Sequence, residues 1–212
     1  GKVVKNIPYA NDLKGGIERL AAMLFQEIPT GVGSHHRDFR LSPKDMDAVL
    51  LQGSMWAVKN GFGTAEDLIA TEDKGTFKGA VPKAVSERAK KRGEDQLGTL
   101  GSGNHFIEIA LVSDIFDEDV ATAFGLFKEQ AVIAIHSGSR GLGFQIYDDH
   151  IRNLQRSASK YGISLPDRQL ACAPIKSPEG KAYLGAMAAA ANFAIANRQM
   201  ITHYVREVFE PV

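Results

Sequence analysis

The stretch that most limits the fold runs from Ser177 to the neighbourhood of Phe209. Ser177-Pro178-Glu179 is a helix start: a capping hydroxyl, a proline where no N–H is needed, and an acid in the first turn. From there the pattern predicts one helix of about 30 residues, or about 45 Å at 1.5 Å per residue. Small residues at Ala186, Ala189, Ala190, Ala194 and Ala196 mean that other elements pack closely against it on several sides. The chain has 212 residues, with no internal repeat and no low-complexity linker. It is read as a single α+β domain over 1–212, a mixed sheet packed with helices and one long C-terminal helix.

Upstream, residues 11–27 carry Ile17, Leu20, Ala21 and Leu24 at helical spacing, and the pattern breaks at "IPTGVGSHH". Ser42-Pro43 opens a helix over 42–60, with Met46, Val49, Leu50, Gly53, Trp56 and Ala57 on one face and Gly61 as its stop. Thr64 caps a short helix, with Asp67 in the capping-box position. "HFIEIALV", 105–112, alternates as a strand, with His105, Ile107, Ile109 and Leu111 on one face. "AVIAIH", 131–136, is apolar on both faces and predicts a strand buried between layers. A helix is expected around 144–160.

Lys+Arg and Asp+Glu balance at 25 each, so nothing global draws the chain to nucleic acid or membrane, and any anion site is local. The single cysteine, Cys172, precludes an internal disulfide and fits a reducing compartment. No signal-peptide pattern opens the chain and no apolar run is long enough to span a bilayer, so a cytoplasmic protein is expected.

Two of the six histidines, His105 and His136, sit where a strand meets a glycine-rich loop. Rigid scaffold meets adaptable backbone there, and an imidazole can ligate Zn²⁺, Mn²⁺ or Fe²⁺ or act as a base. Asn104 and Glu108 stand nearby. "SGSRGLG", 137–143, offers backbone N–H groups for an anion nest, the hydroxyls of Ser137 and Ser139, and the doubly donating guanidinium of Arg140. A flexible turn is the plain alternative, and neither the P-loop nor the dinucleotide glycine spacing is present. The basic run "VSERAKKRG", 85–93, reads as a solvated helix face. His35 and His36 are expected to point apart, Cys172 to be a small buried hydrophobe, and His150 and His203 to be structural residues on helices.

Together, "QLGTLGSGNHFIEI", "IHSGSRGLG", "LACAPIKSPEGKAYLGAMAAAANFAIANRQMI" and "IPTGVGS" resemble the RtcB family of tRNA-splicing RNA ligases, in the same order from about residue 25 onward. The resemblance implies joining of an RNA 2′,3′-cyclic phosphate or 3′-phosphate end to a 5′-hydroxyl end. GTP and Mn²⁺ are the implied cofactors, with GMP carried on a histidine. RNA is the implied partner, with an archease-type activator as a further one. It matches His105 and His136 to imidazole ligands of the manganese centre and Asn104 and Glu108 to residues that hold the guanylate. Phe106 would line the base pocket, and Arg140 with the Ser139 loop would face phosphates.

The family's upstream Asp and Cys, in a Cys-Gly motif, have no counterpart here. Nor do a further metal-binding His and the guanylylated His, which would lie beyond "REVFEPV". The chain thus resembles an internal part of such a ligase, and alone it is expected not to complete the reaction. A non-catalytic RNA- or nucleotide-binding module and a metal-dependent cyclic phosphoesterase remain as alternatives, and two imidazoles alone suit zinc as well as manganese.

Overall fold

The computed structural model describes residues 16–36, 39–167 and 170–209. In chain order these form helices α1 (Ile17–Glu27), α2 (Pro43–Gln52), α3 (Ser54–Lys59), α4 (Ala65–Ile69) and α5 (Glu87–Gly93). Strand β1 (Phe106–Leu111), helix α6 (Glu118–Phe124), strand β2 (Ala131–His136), helix α7 (Arg140–Lys160) and helix α8 (Pro178–Phe209) follow. The architecture is α+β, as the sequence predicts. Residues 11–15 of the expected first helix lie outside the described residues.

Helix α8 has 32 residues and a length of about 48 Å at 1.5 Å per residue. It joins two hydrophobic clusters. Its first two-thirds pack Ala186, Ala189, Phe193, Ala196 and Met200 with Met46, Leu50, Trp56, Ala89 and Leu142. Its last turns place Ile201, Val205 and Val208 against Leu20, Leu24, Ile133 and Ile135. The alanines allow this, because several elements reach the same rod without side-chain bulk between them.

The expected helix over 42–60 is two helices. Ser42 caps α2, its hydroxyl accepting the Asp45 N–H at 3.1 Å. At Gly53 the backbone turns to φ 57° and ψ −131°, a conformation glycine tolerates. The break leaves the carbonyls of Leu50 and Leu51 without their helical donors. Asn192 of α8 supplies them, its Nδ2 donating at 2.9 and 3.3 Å.

The sheet is smaller than the mixed sheet expected: β1 and β2 pair antiparallel, with Phe106 opposite His136, Ile107 opposite Ile135 and Ile109 opposite Ile133. Beside it, Thr30 and Leu100 form one parallel bridge. Nor is β2 buried on both faces. Ala131, Ile133 and Ile135 are buried, Val132 and Ala134 are partly covered, and His136 is exposed. The helices α1 and α8 pack one face only, and the other carries Phe106, Glu108 and His136 outward.

A polar knot ties the C-terminal half of α8 to α4. Asp67, 4% exposed, receives both Nη atoms of Arg206 at 2.8 Å, Gln199 Nε2 at 2.9 Å and the Thr64 N–H at 3.1 Å. Asp67→Ala leaves a half-buried guanidinium without its carboxylate. The expected cost is about 2–4 kcal/mol, below the fully buried limit because solvent reaches Arg206. Urea unfolding should show a lower midpoint at unchanged slope, with a smaller loss for Asp67→Asn.

Candidate functional site

The β1–β2 register decides which side chains converge. Opposed residues share a face, so Phe106 and His136 meet, their rings 5.1 Å apart and near perpendicular at 80°. Glu108 follows two residues on along the same face. His105 stands just ahead of β1, its ring parallel to that of His136 within 9° at 6.4 Å between centroids. The two imidazoles that the sequence singles out are therefore brought together, with Phe106 against one of them.

The glycine-rich turn 97–103 aims His105. The Gly101 N–H donates to its Nδ1 at 3.2 Å, and Ser137 Oγ lies 3.1 Å from the same nitrogen. In the neutral ring Nδ1 either accepts the Gly101 N–H or, as the other tautomer, donates to Ser137 Oγ, which leaves the Nε2 lone pair for a metal. Partial burial, then the charge of Arg140 and then His136, hold the His105 pKa below its usual value. A neutral imidazole is the form a metal or an acceptor role requires.

Arg140 is more deeply tied in than an arm reaching for phosphate. Its Nε donates to Thr99 Oγ1 at 3.1 Å, and its Nη2 to Ser34 Oγ at 2.9 Å and Gly31 O at 3.3 Å. Burial lowers its pKa, yet a guanidinium stays charged. Its Nη1 lies over Gly101, where an added methyl would overlap it and come within 2.6 Å of His105 Nδ1. The cation thus sits beside the imidazoles with one nitrogen directed to the turn.

The loop 137–143 differs from expectation in two respects. Helix α7 begins inside it, at Arg140, rather than near 144. Ser139 (φ −78°, ψ 7°) followed by Arg140 (φ 53°) does form the right-then-left-handed turn of a nest. The Gly141 N–H, however, is already taken by Gln96 Oε1 at 2.9 Å. Ser139 Oγ lies against Gly143 in the first turn of α7 rather than among the imidazoles. Asn104 and Glu108 are exposed, and neither makes a side-chain hydrogen bond among the described residues.

The remaining candidates behave mostly as expected. Lys90 pairs with Asp47 and Glu87, Lys91 pairs with Glu94, and Arg92 donates to Gln145 Oε1. His35 Nδ1 lies near Gly33 O while His36 Nε2 lies near Gly98 O, so the two point apart. Cys172 is half-buried rather than buried. His150 Nε2 sits on Ala84 O. His203 does have a carboxylate one turn on, Glu207 at 3.4 Å, which the sequence reading overlooked.

Three residues of the site escaped that reading. Thr99 and Ser34 anchor Arg140, and Asn197 of α8 binds both loops. Asn197 announces itself only as a polar residue on an alanine-rich helix. Two neutral-capable imidazoles fit a divalent cation as half of a ligand set. Among the described residues, no group of three or more His, Cys, Asp or Glu side chains stands together to complete one. No helix among them is long and apolar enough to cross a membrane.

The family described as tRNA-splicing ligase RtcB matches residues 3–212, reaching further upstream than the motifs themselves. A tRNA-splicing ligase RtcB of Pyrococcus furiosus is 52% identical over 201 residues, covering 95% of this chain and 21% of that protein. The Archaeoglobus fulgidus protein of the same name is 50% identical, with 95% and 42% covered. The Methanococcus maripaludis protein is 48% identical over 211 residues, with 100% and 44% covered. The chain spans less than half the length of these relatives.

Gly101→Ala tests the cradle. The backbone at 101 is of ordinary hand, so the methyl acts only by collision with Arg140 and His105. We expect a loss of about 1–3 kcal/mol and displaced imidazole proton resonances for His105. Gly138→Ala, where a methyl meets nothing within 4 Å, should leave both unchanged.

Proposed function

The chain belongs to the RtcB family, and from that membership we propose that it serves as the imidazole-bearing core of an RNA ligase. The reaction is the joining of a 2′,3′-cyclic phosphate or 3′-phosphate end to a 5′-hydroxyl end, with GTP as co-substrate, as in tRNA splicing and RNA repair. The observation that carries the reading is the parallel pair His105 and His136, 6.4 Å apart, with the Arg140 guanidinium at the same turn.

His105 and His136 would hold Mn²⁺ together with ligands from beyond the described residues. When bound, the ion would neutralise phosphate charge and stabilise the negative charge that develops on its oxygens. The chain's own groups do the rest. Arg140 directs Nη1 at the turn, within reach of a phosphate held there, and its Thr99, Ser34 and Gly31 bonds keep it from collapsing onto a carboxylate. Phe106 presents a partly exposed ring beside His136 for a nucleobase. Asn104 and Glu108, exposed and without side-chain hydrogen bonds among the described residues, would take up guanylate donors and acceptors. An archease-type activator belongs to the same reading, as does a cytoplasmic setting.

Among the described residues the two imidazoles stand without a third ligand, which favours a specific view of this chain. The 212 residues by themselves would recognise a nucleotide or RNA end without turning it over.

The test is ligation of a 3′-phosphate RNA to a 5′-hydroxyl RNA with Mn²⁺ and GTP, using the full-length gene product and the 212-residue chain side by side. Ligation by the full-length protein is expected. His105→Ala and His136→Ala should each lower it by at least about a hundredfold, and the shorter chain should be inert. Binding of GMP or RNA without joining would replace the ligase with a binding module. Opening of the cyclic phosphate without GTP would make it a phosphoesterase.

A further inference from the structure

Asn197 is fully buried, at 0% exposure, and nothing in the proposed chemistry uses it. Its Oδ1 accepts the Thr99 N–H at 3.1 Å. The two hydrogens on Nδ2 are shared among Thr99 O at 3.2 Å, Ser137 Oγ at 3.1 Å and Gly138 O at 3.1 Å. One N–H donor and two carbonyls around the amide leave a single sensible orientation for it.

We infer that Asn197 is a positioning residue of the site: its carboxamide sets the spacing between the glycine-rich turn and the loop leaving β2, and through Ser137 it aims His105. This rests on reading His105 and His136 as the reactive centre. Each loop carries part of that centre. The turn holds Thr99, which receives Arg140 Nε, and Gly101, whose N–H meets His105 Nδ1. The other loop follows His136 and holds Ser137, whose Oγ meets the same nitrogen.

The loops do touch directly, Ser137 Oγ donating to Thr99 O, but at 3.3 Å that bond is long. The planar amide between them is the rigid spacer. Because Ser137 Oγ accepts from Asn197, its own hydrogen turns to Thr99 O or to His105. Arg198, next along α8, adds an Nη1 bond to Ser137 O at 3.1 Å. The helix thus grips the loop by consecutive residues.

A carboxylate would fit the same space and fail. It would keep the acceptor for Thr99 N–H but place an unprotonated oxygen against two carbonyls. The fold supplies its own control five residues earlier. Asn192 is equally buried and binds in the same manner, accepting the Phe77 N–H at 2.7 Å and donating to Phe77 O at 3.0 Å and Leu50 O at 2.9 Å. It holds no part of the site.

The experiment compares Asn197→Asp, Asn197→Ala, Ser137→Ala, the Asn197→Ala/Ser137→Ala double variant and Asn192→Ala in the full-length gene product. Three quantities are read: the urea midpoint, native-state amide exchange of 97–105 and 136–141, and kcat and KM for ligation. Asn192→Ala and Asn197→Ala should destabilise comparably. Only the Asn197 variants should speed exchange in both segments together. Their kcat should fall about 10- to 100-fold, with RNA KM within about twofold, and the double variant should fall no further than the worse single one.

An equal fall in kcat for Asn192→Ala, or unchanged exchange in Asn197→Asp, would overturn the inference. If the wild-type protein does not ligate, the ligase reading fails while the exchange data still decide. Coupled loosening confined to the Asn197 variants supports positioning, and its absence ends it.

Discussion

Irregular backbone inside a protein must find hydrogen-bond partners that no ladder or helix supplies. In this fold three segments find such partners on one helix. Along α8 the carboxamides of Asn192, Asn197 and Gln199, all buried, bind the broken end of α2, the glycine-rich turn and the Phe62–Asp67 segment. Each amide can answer a backbone N–H and a backbone C=O at once, as a neighbouring strand would. In a low-dielectric interior such bonds are strong when complete and costly when half-made. The loops are therefore held in one arrangement rather than merely covered by apolar packing.

The site follows from that arrangement and from the hairpin it abuts. Pairing puts Phe106 opposite His136, and the turn before β1 swings the His105 ring parallel to its partner. Thr99 joins the two systems, since it binds the helix through its backbone and Arg140 through its hydroxyl. Partial burial and, after it, the Arg140 guanidinium lower the pKa of the His105 ring, while the guanidinium itself stays charged. A neutral ring beside a fixed cation suits recognition of a phosphate by charge and of a metal or proton donor by lone pair.

Much of this was legible in the residues. Ser177-Pro178-Glu179 and the alanine pattern marked α8 to within a residue of its observed ends, because capping and periodicity are local properties. The alternation of 105–112 was legible for the same reason. The break at Gly53 was not, because helical spacing of apolar residues runs through it, and the carbonyls it frees are answered from distant positions, by Asn192 of α8 and by Thr76. The half-open face of β2 was hidden too, since "AVIAIH" looks the same whether one layer or two cover it. At the site, types were readable and partners were not: His105 and His136 stood out by context, whereas Thr99, Ser34 and Asn197 matter through contacts between segments 41 to 106 residues apart.

A buried asparagine also sets a chemical clock. Spontaneous deamidation replaces the amide nitrogen with oxygen and needs the following backbone nitrogen to swing onto the side-chain carbonyl, which is one reason asparagine is counted among heat-labile residues. Within an intact helix that nitrogen is fixed in the hydrogen-bond ladder and cannot reach. Asn192 and Asn197 lie well inside the 32 residues of α8, so their chemical lifetime is tied to how seldom the middle of that helix opens. Loss of these two amides would therefore wait on the opening of α8 itself.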